Sequence, residues 1–526
     1  MARITIGFFW DPTPMLPDWT SIRLALKSTA LLLDSALVAS FILSLALSPG
    51  LPQVIVRAWF AVEFAMRIVW RHELKRINSD QRMHPINRYE RRVLFSKILP
   101  DMSREFLMGW FIDTSCAGAQ LTDFSKIYRE NLAEWLSWAF FASGTPTKGK
   151  EMSVMINRIE SKLGIKLPYG YNEEIQTIRL GCNMVDANQR PFIMYAVIFL
   201  LETAGSLVLA AMGYTHHFRD HNSYSYYHKR AMNCAKRKSP IVFFHGIGGG
   251  LFAYLKFVWK LGKISNERDI YLVEIPHISM KLVGGTTANP GMVDTVQNVS
   301  DMLESDGYHR RGAHFVGHSL GSVVVGWLHR FSNLSISSHF IDPIPFKLFH
   351  ADLTYNFNHR KPKTAVEFLI HWLVSKEIYI AEYISRYFHW NHNVLFAQDL
   401  EPLNTRVFVS LRDSLINGPL IWQYLESHGI RGRAFDLDHA GFMFDSAETE
   451  IIAEMKALID SDTVHVDHQL DFNEGHEIGE ISTLSYFGSF DEVWGTGLIS
   501  KNLIDVWSFD EVWGTGIISK NLIKIW

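Results

Sequence analysis

Gly317-His318-Ser319-Leu320-Gly321 follows the apolar run Ala313–Val316 and precedes Ser322-Val323-Val324-Val325-Gly326-Trp327-Leu328. A strand, a sharp turn and a helix would read this way if the turn held one serine out of the backbone. A serine in a left-handed or similarly strained conformation needs close neighbours without Cβ atoms, which gives Gly317 and Gly321 a steric purpose. The pattern is that of a nucleophile elbow, G-x-S-x-G, and its value rests on what surrounds it.

A neutral serine is a weak nucleophile, so a base must take its proton and a further group must orient that base. Downstream, Arg406–Asp413 places Asp413 just past one expected strand, and Gly432–Phe442 places His439 just past the next. The order Ser319, Asp413, His439 suits a triad on an open α/β sheet. Asp342, in Phe340-Ile341-Asp342-Pro343, also ends a strand-like run and is the rival acid. Upstream, His245-Gly246-Ile247-Gly248-Gly249-Gly250 follows the run Ile241–Phe244. A glycine-rich turn built on Gly246 and Gly248 leaves backbone N–H groups free to hold a developing oxyanion. The N–H groups of Ile247 and Leu320, the latter next to the serine, are the expected donors. This chemistry calls for no metal and no organic cofactor. The histidines of Thr215–His221 match no metal-ligand spacing and read as a polar linker, while His277 and His318 read as pocket lining.

The elements that must position these groups begin near residue 239. Ile241–Phe244, Ile270–Glu274, Ala313–Val316, His339–Ile341 and Arg406–Val409 are near-continuous apolar runs separated by helical patterns. Such runs predict parallel strands buried on both faces, with the active groups beyond their carboxyl ends.

At 526 residues, 48% hydrophobic and 13% aromatic, the chain has material for more than one structural unit. A formal charge of −3 gives no basic field, so nucleic acid is not an expected partner. Cys116, Cys182 and Cys234 are odd in number and far apart, which predicts buried thiols in a reducing compartment. Residues 28–48 form an apolar stretch long enough to cross a bilayer, interrupted by Asp34, and predict an uncleaved anchor. Residues 52–70 carry Arg57, Glu63 and Arg67 and suit an interfacial or packed helix. The basic residues from Arg71 to Lys97 place that segment on the cytosolic face, and residues 105–190 read as helical. A further apolar run over 191–213 contains Glu202 and suits either a second span or a helix packed on a globular core.

Taken together, HGIGGG at 245–250, GHSLGS at 317–322, Asp413 and DHAGF at 438–442 resemble the α/β-hydrolase superfamily over about residues 234–460. More loosely, the N-terminal apolar segments, IDPIPF and the insertion after it resemble membrane-associated α/β-hydrolases of fungal type. The resemblance implies an α/β fold, a mostly parallel sheet flanked by helices, with a helical cap insertion and an N-terminal helical, membrane-associated region. It implies a lipase- or esterase-like serine hydrolase with Ser319, Asp413 and His439 as its triad. The expected substrate is a lipophilic ester met at a membrane lipid surface, with the catalytic unit facing the cytosol. A catalytically idle scaffold of the same fold, and an acyltransferase using the same triad, are the competing readings. Oligomeric state and acyl-chain preference are not legible.

The corresponding division is an anchor region 1–72, a helical region 73–233 with the possible membrane segment 191–213, a hydrolase domain 234–465 with cap 343–401, and a tail 466–526. Phe349, Tyr355, Phe357, Trp372, Tyr379, Tyr383, Tyr387, Phe388 and Trp390 of the insertion suit either an acyl pocket or cap packing. In the tail, residues 489–507 recur almost unchanged as 508–526, which reads as a duplicated, weakly ordered extension.

Overall fold

The computed structural model describes residues 51–461 except 116–119, 219–223, 234–236, 282–288, 309 and 363–364. The apolar stretch 28–48, the tail repeats, Cys116 and Cys234 lie outside the described residues. Cys182 is a free, half-buried thiol.

Eleven strands are described. β1 (Phe111–Asp113), β2 (Gln120–Leu121) and β3 (Ile175–Thr177) form a small antiparallel sheet in the order β2-β1-β3. The others are β4 (Thr215–His217), β5 (Tyr226–Lys229), β6 (Lys238–Phe244), β7 (Arg268–Val273), β8 (Ala313–His318), β9 (Ser335–Ile341), β10 (Thr405–Ser410) and β11 (Arg431–Phe435). They make one sheet in the order β11-β10-β9-β8-β6-β7-β5-β4. β4 and β5 run antiparallel to each other, β5 runs antiparallel to β7, and every other pair is parallel. This strand order, with its antiparallel edge and the serine turn after β8, is the α/β-hydrolase fold.

The central strands read as unbroken apolar runs because both faces of the sheet are covered. Val242 and Phe244 of β6 enter one core, while Ile241 and Phe243 enter the other. On the second face lies a helix (Ala447–Ser461) whose Ile451, Met455 and Ile459 meet Phe243, Leu272 and Val316. The first core is continuous from the sheet through Phe95, Trp110, Trp135, Phe140 and Ile159 of the N-terminal region.

Four helices matter below: α1 (Leu51–Ser79), α2 (Arg129–Phe141), α3 (Phe192–Ala211) and α4 (Gly321–Phe331). Among the described residues, only α3 is long and apolar enough to cross a membrane by length and composition.

Three sequence expectations need correction. The hydrolase sheet does not start at 234, because β4 and β5 are its edge strands. Thr215–His217 is β4, not a linker, and His216 Nε2 lies 2.7 Å from Glu274 Oε2. Short edge strands of histidine and tyrosine carry no apolar-run signal. Nor is the region 73–233 wholly helical, since β1 to β3 lie within it. The excursion between β9 and β10 is largely helical, as expected, and several of its aromatic side chains pack on neighbouring elements. Trp390 Nε1 donates to Ala139 O (3.1 Å), Trp110 Nε1 donates to Phe349 O (3.2 Å), and Phe140 packs edge-on to Trp390.

Candidate active site

Register brings the site residues to one edge of the sheet. Phe244 pairs with Gly317, Gly317 with Phe340, and Phe340 with Val407. The loops that leave β6, β8, β9, β10 and β11 therefore emerge side by side.

Ser319 sits between β8 and α4 with φ of +51°, a conformation that costs of order 1–3 kcal/mol unless the surroundings enforce it. They do enforce it. Ser319 N–H donates to Ile341 O (3.0 Å), Ser322 N–H donates back to Ser319 O (3.0 Å), and the Ser322 hydroxyl also donates to Ser319 O. A Cβ on Gly317 would lie 2.4 Å from Gly321 O, and one on Gly321 would lie 2.1 Å from Phe244 O. Both glycines are required by close backbone approach, as their spacing implied.

The Ser319 hydroxyl reaches His439 Nε2 at 3.0 Å, and His439 Nδ1–H donates to Asp413 Oδ2 at 2.6 Å. Asp413 is fixed in turn, because its Oδ1 accepts the N–H groups of Leu415 (2.7 Å) and Ile416 (3.2 Å). Burial opposes charge on His439, but the adjoining Asp413 carboxylate and the more distant Asp342 outweigh it and raise the imidazole pKa.

Asp342 occupies a different place from the one it would need as the rival acid. It is 2% exposed, with φ of +43°, and accepts Ser410 N–H on Oδ1 (2.9 Å) and Ala440 N–H on Oδ2 (2.8 Å). It thus clamps the end of β10 and the residue after His439, while Asp413 holds the ring. Asp342, Asp413 and His439 present atoms within 4.8 Å of one another, a spacing a metal ion could use. Both oxygens of each carboxylate already accept N–H groups, however, so the cluster is fully engaged as a hydrogen-bond network.

On the other side of the serine lies the turn after β6. Gly246 N–H donates to Tyr254 Oη (3.0 Å) and Gly248 N–H to Ile278 O (3.0 Å). With Ser319 and Ser322 also engaged, the backbone N–H groups of Ile247 and Leu320 have no acceptor among the described residues. Two backbone donors without an acceptor, one in the residue after the serine and one in the turn packed against it, are the kind of groups an oxyanion site requires. Close packing holds the turn there, since a Cβ on Gly246 would lie 2.8 Å from Ser319 Cβ. Gly248 has φ of +141°, which favours glycine. His245 Nε2 accepts Ile275 N–H (3.0 Å), so its proton lies on Nδ1, facing Gly246 O at 2.8 Å. Burial pushes its pKa down to about 4.

Sequence reasoning missed one polar chain beneath the elbow. Tyr254 Oη, which accepts Gly246 N–H, lies 2.7 Å from His318 Nδ1, and His318 Nε2 lies 3.6 Å from Asp342 Oδ2. His318 is therefore not pocket lining but a buried link between the turn after β6 and the clamp at the His439 loop. Its position inside the GHSLG motif was the only signal available. His277 is buried after β7 and packs on Tyr383 of the insertion at 4.5 Å.

No protein-family model matches the chain, and no curated protein matches it. Solved structures do show likeness. A membrane phospholipase A described as a bacterial virulence factor is 16% identical, with 51% of this chain and 94% of that one covered and a TM-score of 0.37. A Pyrobaculum calidifontis esterase is 15% identical, covering 52% and 94%, at 0.35. Carboxylesterase CesB from Bacillus subtilis is 11% identical, covering 49% and 96%, at 0.32. The fold assignment rests on the strand order itself.

Proposed function

We propose that this chain is a membrane-associated serine hydrolase that cleaves carboxylic esters of lipophilic character. Ser319 Oγ attacks the ester carbonyl as its proton passes to His439 Nε2, and Asp413 orients the ring and stabilises the imidazolium. The N–H groups of Ile247 and Leu320 hold the oxyanion. Collapse breaks the acyl C–O bond, His439 returns the proton to the departing alcohol, and an acyl-Ser319 ester remains. Water then repeats the sequence with His439 as base, releasing the acid and the free serine.

The observation that carries this reading is the unbroken line from Asp413 Oδ2 through His439 to Ser319 Oγ, at 2.6 and 3.0 Å, on a serine with positive φ. Membrane association is supported by the apolar stretch 28–48 and by the exposed apolar side chains of α1 and α3. The basic residues from Arg71 to Lys97 favour the cytosolic leaflet.

The test is turnover of p-nitrophenyl esters of increasing acyl length and of phosphatidylcholine by the purified chain and by Ser319→Ala. Hydrolysis that the substitution reduces by a factor of order 10³ or more is expected. A folded protein inert on every ester, or one equally active without Ser319, would contradict the reading.

A further inference from the structure

α3 is two-faced in an unusual way. Its polar side chains are all accounted for by the folded protein or its own backbone. Tyr195 Oη donates to Glu377 Oε1 (3.2 Å), Ser206 Oγ lies 2.6 Å from Tyr227 Oη, and Glu202 pairs with Lys281 (3.3 Å). Thr203 bonds back to Phe199 O. Gly205 permits close packing, since a Cβ there would lie 3.3 Å from Phe252 Cβ, and Leu209 enters the second core. The opposite face, carrying Ile193, Val197, Leu200, Leu207 and Val208, is exposed along the length of the helix.

Two further observations identify what covers this face. The first is continuity with the chain's other apolar segments. α1 meets α3 where Trp59 packs on Phe192 and Glu63 accepts Phe192 N–H (2.9 Å). Val54, Ile55 and Val62 of α1 are exposed, and the apolar stretch 28–48 ends two residues before α1 begins. The second is charge. Past its apolar half, α1 turns basic and exposed at Arg71 and Lys75, the sequence of environments expected on passing from acyl chains to anionic headgroups.

The contacts also fix how α3 can meet a bilayer. Tyr195 and Leu209 are 14 residues apart, so about 21 Å of a roughly 30 Å helix is attached to the folded unit. Were α3 to cross the hydrocarbon core, the Glu202–Lys281–Glu274–His216 cluster at its middle would be carried to the bilayer centre. Deepening the reading under Proposed function, on which it rests for membrane association, we propose that α3 lies in the plane of one leaflet. Its apolar face is immersed and its polar face holds the catalytic unit, so lipid is the partner of this surface. Because α3 touches the segment after the oxyanion turn through Phe252 and the insertion through Glu377, the site is held against the leaflet from which a lipid ester would come.

The experiment uses the full chain in vesicles of phosphatidylcholine and phosphatidylserine. Ile193, Leu200 and Leu207, which share the exposed face, are replaced one at a time by a fluorescent residue, and each variant is checked for the wild-type unfolding temperature. Quenching is read with lipids brominated near the carbonyl or near the chain end. An in-plane helix gives the same shallow quenching pattern at all three positions. A deep signal at Leu200 with shallow signals at Ile193 and Leu207 would mean that α3 spans, and no quenching anywhere would mean that protein covers the face. Either result overturns the proposal. Fluorophosphonate labelling of Ser319 in the same vesicles reports separately on the hydrolase reading. Labelling without shallow quenching removes only the in-plane proposal, and shallow quenching without labelling removes only the hydrolase.

Discussion

At the scale of single residues, two aspartates near one histidine have separable tasks. Asp413 touches the His439 ring, whereas Asp342 touches the backbone at the end of β10 and at the residue after His439. Asp413→Asn is expected to lower kcat by a factor of order 10⁴, because the ring loses its tautomer and its counter-charge. Asp342→Asn retains one acceptor for two buried N–H groups, so about 1–3 kcal/mol of stability should be lost in denaturant titration, with a smaller fall in kcat. The pH profile distinguishes them further. His439 must be neutral to act as base, and its pKa is raised above the ordinary value by Asp413 against the effect of burial. The acid limb of kcat/KM should therefore lie above pH 6.5, with activity lost below it, and Asp413→Asn should move that limb downward. The sign for stability is opposite. The ion pair contributes fully below the unfolded histidine's pKa, and its contribution fades as pH rises through the folded one. Ser319 and Asp413 were legible in sequence because each follows a strong apolar strand, and His439 because it completes the chain order Ser, Asp, His. The clamp role of Asp342 was not, since its partners lie 68 and 98 residues away.

Among elements, the strand-turn-helix around Ser319 and the turn after β6 depend on backbone contact rather than on side-chain chemistry. Gly321→Ala would place a methyl group 2.1 Å from Phe244 O and force α4 away from β6. A destabilisation of about 3 kcal/mol or more is expected in thermal unfolding. Gly205→Val differs in kind. It would press on Phe252 next to the turn after β6, so under the proposed function kcat should fall while Ser319 still reacts slowly with a fluorophosphonate. The glycines of the elbow announced themselves by their spacing. Gly205 did not, because a glycine within a long apolar helix has no local signature of the surface it meets.

For the whole molecule, the division at residue 234 read from the sequence is not a physical boundary. Two strands of the sheet precede it, and the first core joins Phe95, Trp110 and Ile159 to Phe244 and Phe315. A fragment of residues 234–465 should consequently lack a cooperative unfolding transition, while a chain that retains the preceding region should show one in circular dichroism. The composition gave no warning of this, since apolar residues of one core and of two look alike until their contacts are known. The insertion teaches the same lesson, since its Trp390 joins it to α2 and its Tyr379 packs with Ile77 of α1. Under the proposed function, Ser319 is the residue that this assembly makes nucleophilic. The direct measurement is mass-spectrometric mapping of the adduct formed when the full chain is treated with a fluorophosphonate. A single adduct on Ser319, abolished by His439→Ala in a protein that still folds, is the predicted result. An adduct elsewhere, or none on the folded chain, would contradict it.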